Sequence, residues 1–207
     1  QQRPGEPLVL KQAGVLTAFK NTLLVGLSGR LAGMDPSTGV VVWESAIATP
    51  RGTNDMERLV DLIGPSDRMG DVVCARAFQA QIGCVDAQKG QGIWTRPSVG
   101  DRGLSGNANL VLAPLANGVV QAWRREDGER VWETERLKYR LLSAPLVTPK
   151  GIVIADSGGY VYLLSLADGA LLNRLKMDGE LAAAPVATAD TYILVSREGR
   201  VTGLNLP

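Results

Sequence analysis

Histidine does not occur among the 207 residues of this chain, and aromatic residues make up only 5% of it. Without histidine, the chain lacks the commonest general base and the commonest metal ligand of proteins. Its two cysteines are too few to hold a metal ion by themselves. We therefore expect no metal site, no cofactor and no enzymatic activity.

The chain also lacks a charge imbalance and a long apolar run. Its 22 basic and 21 acidic residues leave a net charge of +1, which gives no electrostatic footprint for nucleic acid or an anionic membrane. No apolar run approaches the roughly 20 residues needed to span a bilayer, and the opening QQRPGEP carries neither an apolar core nor a cleavage signal. With 45% apolar residues, the composition is typical of a chain that builds a core.

What the chain does contain is a repeat. The segment GRLAGMDPSTGVVVW (29–43) recurs as AQIGCVDAQKGQGIW (80–94), GVVQAWRREDGERVW (118–132) and GYVYLLSLADGALLN (159–173), and a shortened copy, GRVTGLNLP, occupies 199–207. In each full copy, alternating apolar residues flank a polar turn that contains a glycine, which predicts a β-hairpin. Two more short apolar runs precede each hairpin, as in SAPLVTP and GIVIADS. The repeating unit therefore has four antiparallel strands.

A four-stranded unit repeated without helical periodicity predicts the blade of a β-propeller. A small sheet cannot bury both faces alone, so neighbouring sheets stack around an axis and share a core. The recurring Trp43, Trp94 and Trp132 fit as rings packed between blades, with an aromatic ligand cage as the alternative. A β-solenoid or a sandwich is the competing fold, but solenoid coils are usually shorter and sandwiches do not repeat a motif so regularly.

The number of copies predicts an incomplete ring. Four full blades and a fifth without its last strand give one all-β, partial propeller domain over 1–207. A propeller normally closes by pairing its last strand with one from the N-terminus, but QQRPGEPLVLKQAG holds no copy of the Trp-ending strand. We therefore expect this chain to be the C-terminal part of a longer propeller, with an open edge after Leu204.

The repeat resembles that of a known group of proteins. DPSTGVVVW, DAQKGQGIW and REDGERVW are similar to the D-x-x-x-G-x-x-x-W repeat of quinoprotein-like propellers. The segments LVLKQAGVLTAF, MERLVDL, RLLSAPLV and APVATADTYILVSREGRVTGLNL resemble the BamB family, propeller lipoproteins of the machinery that assembles β-barrels in the outer membrane. The resemblance implies an eight-bladed ring and a lipid-bearing cysteine that precedes it. It also implies a scaffold at the periplasmic face of the outer membrane of a Gram-negative bacterium, which helps to deliver and insert outer-membrane proteins.

The resemblance also assigns a partner. In the family, a long loop and an L-x-L-R segment of the preceding blade dock onto periplasmic domains of the barrel protein BamA, and the matching loop here is 51–65. By position, partner binding falls to Leu8, Leu10, Lys11 and Asp61, and we add the adjoining Arg58. Exposed leucines would supply apolar anchors, and the flanking charges would set the register.

Two departures and one alternative accompany this assignment. Lys11 stands where the family has arginine, so the planar guanidinium group that can bind a carboxylate through two hydrogen bonds is missing. Ile63 stands where a second aspartate is expected, which makes the loop more apolar. The alternative is that Leu8 and Leu10 are core-facing residues of an ordinary strand and that Asp61 caps a turn.

The two cysteines form a second candidate pair. Cys74 and Cys84 are equally distant from Gln79, the predicted tip of a hairpin, so a symmetric hairpin places them opposite each other. A disulfide fits if they form a close, non-hydrogen-bonded pair, and an oxidising periplasm would favour it. Two free, buried thiols are the alternative.

The alternative function is a fragment of a quinone-dependent or other substrate-binding propeller enzyme. Such an enzyme needs clustered acidic and amide groups, whereas Asp35, Asp86, Asp127 and Asp168 lie in inter-strand turns, where Asx-turn chemistry explains them. We therefore predict a non-enzymatic scaffold. Its expected partners are a BamA-like barrel protein and unfolded outer-membrane protein clients, with no nucleic acid and with membrane contact only through a lipid anchor outside this sequence.

Overall fold

The computed structural model describes residues 10, 12–51, 59–188 and 191–205. These residues form nineteen β-strands in five antiparallel sheets, and within each sheet the strands pair in chain order. Four sheets have four strands and the last has three, so the predicted propeller architecture of four full blades and a partial fifth is confirmed. Within the part of the chain that the structure describes, no helix is long and apolar enough to cross a membrane.

The strands are numbered in chain order. Sheet 1 contains β1 (Leu16–Phe19), β2 (Thr22–Leu27), β3 (Arg30–Met34) and β4 (Val41–Ala46). Sheet 2 contains β5 (Leu62–Met69), β6 (Val72–Ala77), β7 (Gln81–Asp86) and β8 (Gln91–Pro97). Sheet 3 contains β9 (Ser105–Gly106), β10 (Leu110–Pro114), β11 (Val120–Arg124) and β12 (Arg130–Thr134). Sheet 4 contains β13 (Leu146–Thr148), β14 (Gly151–Ala155), β15 (Tyr160–Leu164) and β16 (Leu171–Lys176), and sheet 5 contains β17 (Val186–Thr188), β18 (Thr191–Val195) and β19 (Val201–Leu204).

The core lies between consecutive sheets rather than inside one of them. Each of four buried apolar clusters draws its members from two neighbouring sheets. Representative members are Leu31 with Val73 for sheets 1 and 2, Ile82 with Val111 for sheets 2 and 3, Val120 with Ile154 for sheets 3 and 4, and Leu163 with Leu194 for sheets 4 and 5. Face-to-face stacking therefore supplies the buried area that a single thin sheet lacks.

The three repeat tryptophans pack between sheets, as predicted. A Cβ added to the turn glycine of the following sheet would lie 2.5, 2.5 and 2.7 Å from an indole carbon, for the pairs Trp43 with Gly90, Trp94 with Gly128 and Trp132 with Gly169. These glycines also have positive φ angles of 68°, 70° and 69°, a backbone conformation that residues with a Cβ rarely adopt. Glycine is therefore favoured at these positions even without the indole ring. The turn therefore needs glycine both for its backbone and for the indole that covers it.

The predicted loop 51–65 is shorter in the structure, because β5 begins at Leu62. Gly64 and Pro65 suggest a turn in the sequence, but both lie within β5, where the pairing with β6 is irregular between Ile63 and Asp67. Proline is tolerated in a strand at such an irregularity. Ile63 is only 1% exposed, so it contributes to the core and not to an apolar loop surface.

Candidate functional site

The two segments assigned to partner binding meet in the structure. The backbone N–H of Leu10 donates a hydrogen bond to Oδ2 of Asp61 at 3.2 Å, and both residues are half-buried. Leu10 precedes β1 and does not belong to a strand, which differs from the alternative of an ordinary core strand. The other predicted partner-binding residues, Leu8, Lys11 and Arg58, lie outside the described residues.

Backbone contacts hold this junction in place. The N–H of Gly64 donates to the carbonyl of Ala13 at 2.8 Å, and Gly14 forms an antiparallel bridge with Ile63. The carbonyl of Asp61 accepts the N–H of Phe78 at 2.9 Å, from the turn between β6 and β7. The junction thus joins the segment before sheet 1 to the first strand of sheet 2. One oxygen of the Asp61 carboxylate accepts the backbone N–H of Leu10, and the other accepts no hydrogen bond within the described part of the chain.

A cavity of about 400 Å³ lies beside the junction. Its lining includes Pro65 from the first strand of sheet 2, and Ala13, Arg102, Leu142 and Leu181 from the segments that lead into the first strands of the other four sheets. The cavity therefore lies where the innermost strands converge. We call this end of the molecule, which carries the sheet-to-sheet connections and the turns between second and third strands, the connection end.

A buried arginine fixes one wall of the cavity. Arg76 is fully buried, and its guanidinium donates to the carbonyls of Arg102 at 3.1 Å and Pro114 at 2.5 Å and to Oγ of Ser98 at 2.6 Å. Burial lowers its pKa to about 10, although the charge of Asp101 acts in the opposite direction. Its Nε has no hydrogen-bond partner within the described residues. Arg76 therefore ties the connection between sheets 2 and 3 to both sheets.

A second polar network lies on sheet 4 at the connection end. Asp156 accepts hydrogen bonds from Nη1 of Arg140 at 2.6 Å, from the hydroxyl of Tyr162 at 2.7 Å and from the N–H of Tyr160 at 2.9 Å. Burial opposes the ionisation of Asp156, but these three donors outweigh it and hold its pKa below the usual value. Burial and the neighbouring carboxylate raise the pKa of Tyr162. Asp156 is thus an ionised carboxylate that is held by three hydrogen-bond donors.

The cysteines lie in sheet 2, away from the junction. Cys74 and Cys84 are opposite each other in the pairing of β6 with β7, their Cα atoms are 4.0 Å apart, and the structure joins their sulfurs in a disulfide. Nη1 of Arg125, from sheet 3, lies 3.4 Å from Sγ of Cys74, and Nη2 of the same residue pairs with Asp67 of sheet 2. This contact between sheets has no counterpart in the repeat pattern.

The sequence is similar to one family over most of its length. The family model described as outer membrane protein assembly factor BamB matches residues 1–134. Proteins of that name from Bordetella pertussis and Burkholderia pseudomallei are 36% identical over 196 residues and 32% identical over 200 residues. These matches cover 94% and 95% of this chain but 51% and 52% of the relatives. The chain thus spans about half the length of the curated relatives it matches.

A solved structure agrees with the fold. The crystal structure of BamB from Moraxella catarrhalis superposes on this chain with a TM-score of 0.89, covering 100% of this chain and 62% of that one. The sequence identity of that pair is 24%, so the likeness supports the propeller architecture and not the role of any residue.

Proposed function

Because this chain belongs to the family of the outer membrane protein assembly factor BamB, we propose that it acts as a non-enzymatic scaffold of the outer-membrane β-barrel assembly machinery. It docks onto periplasmic domains of a BamA-like barrel protein and assists the delivery and insertion of unfolded outer-membrane proteins. The place of action is the periplasmic face of the outer membrane of a Gram-negative bacterium, where a lipid anchor outside this sequence holds the protein.

The observation that supports docking is the junction of Leu10 with Asp61. Two segments that are 51 residues apart in sequence meet through the hydrogen bond from Leu10 to Asp61. A half-buried leucine next to a carboxylate offers an apolar anchor and a charged group that sets the register of a partner. Leu8, Lys11 and Arg58 adjoin these two residues in sequence and complete the proposed contact.

Calorimetry with the purified periplasmic region of the BamA from the same organism tests this proposal. We expect binding in the micromolar range, weakened at least about tenfold by Leu10→Ala together with Leu8→Ala, since truncated central anchors commonly cost this much or more. Asp61→Ala should weaken binding as well. Glu44→Ala is the matched control, because this exposed carboxylate lies on β4, at the outer edge of sheet 1, and its loss should leave the affinity unchanged.

Two results would contradict parts of the proposal. Equal binding by the wild type and by all variants would refute the assignment of these residues while leaving docking itself in place. No binding by a well-folded wild type would refute docking by this part of the protein. Circular dichroism and melting temperature establish that each variant is folded.

A further inference from the structure

Sheet 4 carries an unusual concentration of cations around one tyrosine at the connection end. The half-exposed ring of Tyr160 has Nζ of Lys176 at 4.2 Å, Cζ of Arg174 at 5.2 Å and Cζ of Arg140 at 5.8 Å from its centroid. Each distance is within the range of cation–π attraction. We call these four residues the tyrosine–cation surface.

The positive charge of this surface is only partly compensated. Arg140 is neutralised by the buried Asp156. Arg174 and Lys176 are exposed, and within the described ranges neither has a carboxylate at ion-pair distance. Lys176 donates one hydrogen bond to the carbonyl of Gly158 at 2.6 Å, which leaves donors of its ammonium group free.

The neighbouring connection between sheets 4 and 5 shows the opposite arrangement. There Arg200 pairs with Asp178 at 2.6 Å, and Arg197 pairs with Glu180 at 3.4 Å. Among the described residues, these two exposed arginines are therefore matched with acids, whereas the two positive charges beside Tyr160 remain for a ligand.

The two uncompensated cations have the spacing of an extended ligand. Arg174 and Lys176 are alternate residues of β16, lie opposite Tyr162 and Tyr160 in the pairing with β15, and point to the same face of sheet 4. Residues at this spacing repeat about every 6.6–6.8 Å along a strand, which is the spacing of alternate side chains in any other extended chain. The corresponding residues are Glu44 and Ala46 after Trp43, Thr95 and Pro97 after Trp94, and Glu133 and Glu135 after Trp132. The paired cations are therefore a property of sheet 4 and not of the repeat.

Recognition at this surface would be through side chains rather than strand pairing. β16 is the outer strand of sheet 4, but the N–H of Arg174 already donates to Oδ1 of Asn173 at 2.7 Å. This internal hydrogen bond withholds a donor that a second strand would need. Tyr139 and Leu141, which flank Arg140 in sequence, are 86% and 65% exposed and can act as apolar anchors.

We propose that the tyrosine–cation surface binds an acidic, extended polypeptide segment with carboxylates at alternate positions. Alternate carboxylates reach Arg174 and Lys176, and Tyr139 and Leu141 cover apolar side chains of the same segment. The surface lies on sheet 4 and shares no residue with the Leu10–Asp61 junction, so this inference goes beyond the docking proposal and does not depend on it.

Fluorescence anisotropy with labelled peptides tests the inference on the full chain. The probe is a short peptide of alternating glutamate and threonine, and its isomer with all glutamates in one block is the control ligand. We expect the alternating peptide to bind more tightly, and Arg174→Gln with Lys176→Gln to weaken it about tenfold, because each exposed ion pair contributes a factor of up to about five. Binding should also weaken as salt is raised above about 0.1 M.

Matched variants make the result specific. Arg197→Gln with Arg200→Gln removes the same charge from the neighbouring connection, where the cations are already paired, and should change the peptide affinity by less than about twofold. Arg174→Glu with Lys176→Glu should lose the glutamate peptide and bind an alternating lysine–threonine peptide instead. The variant with Leu10→Ala and Asp61→Ala should keep wild-type peptide affinity, which separates this inference from the docking proposal.

Three results would overturn the inference. The first is equal peptide binding by the wild type and by the Arg174→Gln, Lys176→Gln variant. The second is equal affinity for the alternating peptide and the block isomer. The third is binding to vesicles of phosphatidylglycerol and phosphatidylcholine through Arg174 and Lys176 without binding of the peptide, which would assign the surface to an anionic membrane.

Discussion

Three interfaces between neighbouring sheets contain a tryptophan, and the interface between sheets 4 and 5 does not. Trp43, Trp94 and Trp132 each cover a turn glycine of the following sheet, and the indole N–H of Trp94 also donates to the carbonyl of Arg125 at 2.7 Å. In sheet 4 the same repeat position is Asn173. One residue of the repeat therefore decides whether an indole fills the interface with the following sheet.

The interface between sheets 4 and 5 relies on weaker contacts. Tyr192 and Leu194 are buried against sheet 4, and the hydroxyl groups of Tyr192 and Thr148 are 3.2 Å apart. The ion pairs at its rim are largely exposed, and such pairs contribute about 0–1 kcal/mol. Stability is therefore unevenly distributed among the blades, and sheet 5 should open before the sheets that are joined by tryptophan.

Removal of an indole should destabilise the protein far more than removal of the side chain of Asn173. Trp94 is 7% exposed and fills the interface between sheets 2 and 3, so Trp94→Ala should lower the free energy of unfolding by about 3–5 kcal/mol. Asn173→Ala at the equivalent position of sheet 4 should cost less than about 1 kcal/mol. Urea denaturation followed by circular dichroism measures both values.

A similar loss of stability in the two variants would contradict the unequal distribution. Tryptophan fluorescence gives an independent readout, because Trp94 and Trp123 lie in the same buried cluster. Hydrogen exchange of the wild type should show sheet 5 exchanging first.

The turn glycines separate the contribution of the ring from that of the backbone, because one of them has no ring above it. Gly128 and Gly39 have φ angles of 70° and 71°, but a Cβ on Gly128 would meet the indole of Trp94, whereas nothing lies within 4 Å of a Cβ on Gly39. Gly39→Ala should cost about 1–2 kcal/mol for its left-handed backbone alone. Gly128→Ala should cost about 1–3 kcal/mol more, because the ring must move.

Thermal and urea unfolding of both variants measure this difference. Equal losses of stability in Gly39→Ala and Gly128→Ala would show that the indole can move aside without destabilising the protein. Glycine would then be required at this position only for its backbone conformation. The double variant Gly128→Ala with Trp94→Ala provides the cycle that isolates the contact.

The blades were predictable because their determinants are local and periodic. Alternating residues around each turn glycine set the hairpins, and the tryptophan at a fixed register indicated the contact between sheets. The sequence predicts the start of β5 too late, because Gly64 and Pro65 have the composition of a turn and only the irregular pairing with β6 accommodates them in a strand. The meeting of Leu10 with Asp61 agrees with the grouping that the family resemblance gave, although partner binding by these residues remains a prediction.

The polar contacts between sheets were not predictable in the same way. Arg125 reaches Asp67 across 58 residues of sequence, and Arg76 reaches Pro114 across 38. No period links such partners, because each contact occurs once and depends on the final stacking of two sheets. In the sequence, Arg76 and Arg125 look like the charged residues of exposed turns and strands. Only the folded arrangement shows that both are buried.

The polar turns of sheets 4 and 5 allow a finer comparison. Asp156 and Ser196 follow the second described strand of their sheets, and each bridges to the segment before the first strand, at Leu142 and Leu181. Ser196 accepts the N–H of Arg200 at 3.3 Å, whereas Asp156 accepts three hydrogen bonds, including that of Arg140. The connection before sheet 4 is therefore tied to its turn by a buried carboxylate, whereas the ion pair at the equivalent place in sheet 5, Arg197 with Glu180, is largely exposed.

The Asp156 carboxylate predicts a loss of stability on substitution that depends on pH. The pKa of Asp156 is lowered in the folded state, so its stabilising contribution is complete above the unfolded value of about 3.9 and is lost as the pH falls through the folded value. Asp156→Asn should cost about 1–2 kcal/mol at neutral pH, where hydrogen bonds to a charged group are lost, and progressively less below about pH 4. Urea unfolding of both proteins between neutral and acidic pH measures the gap, and a gap that stays constant across this range would show that the carboxylate acts through its shape and not through its charge.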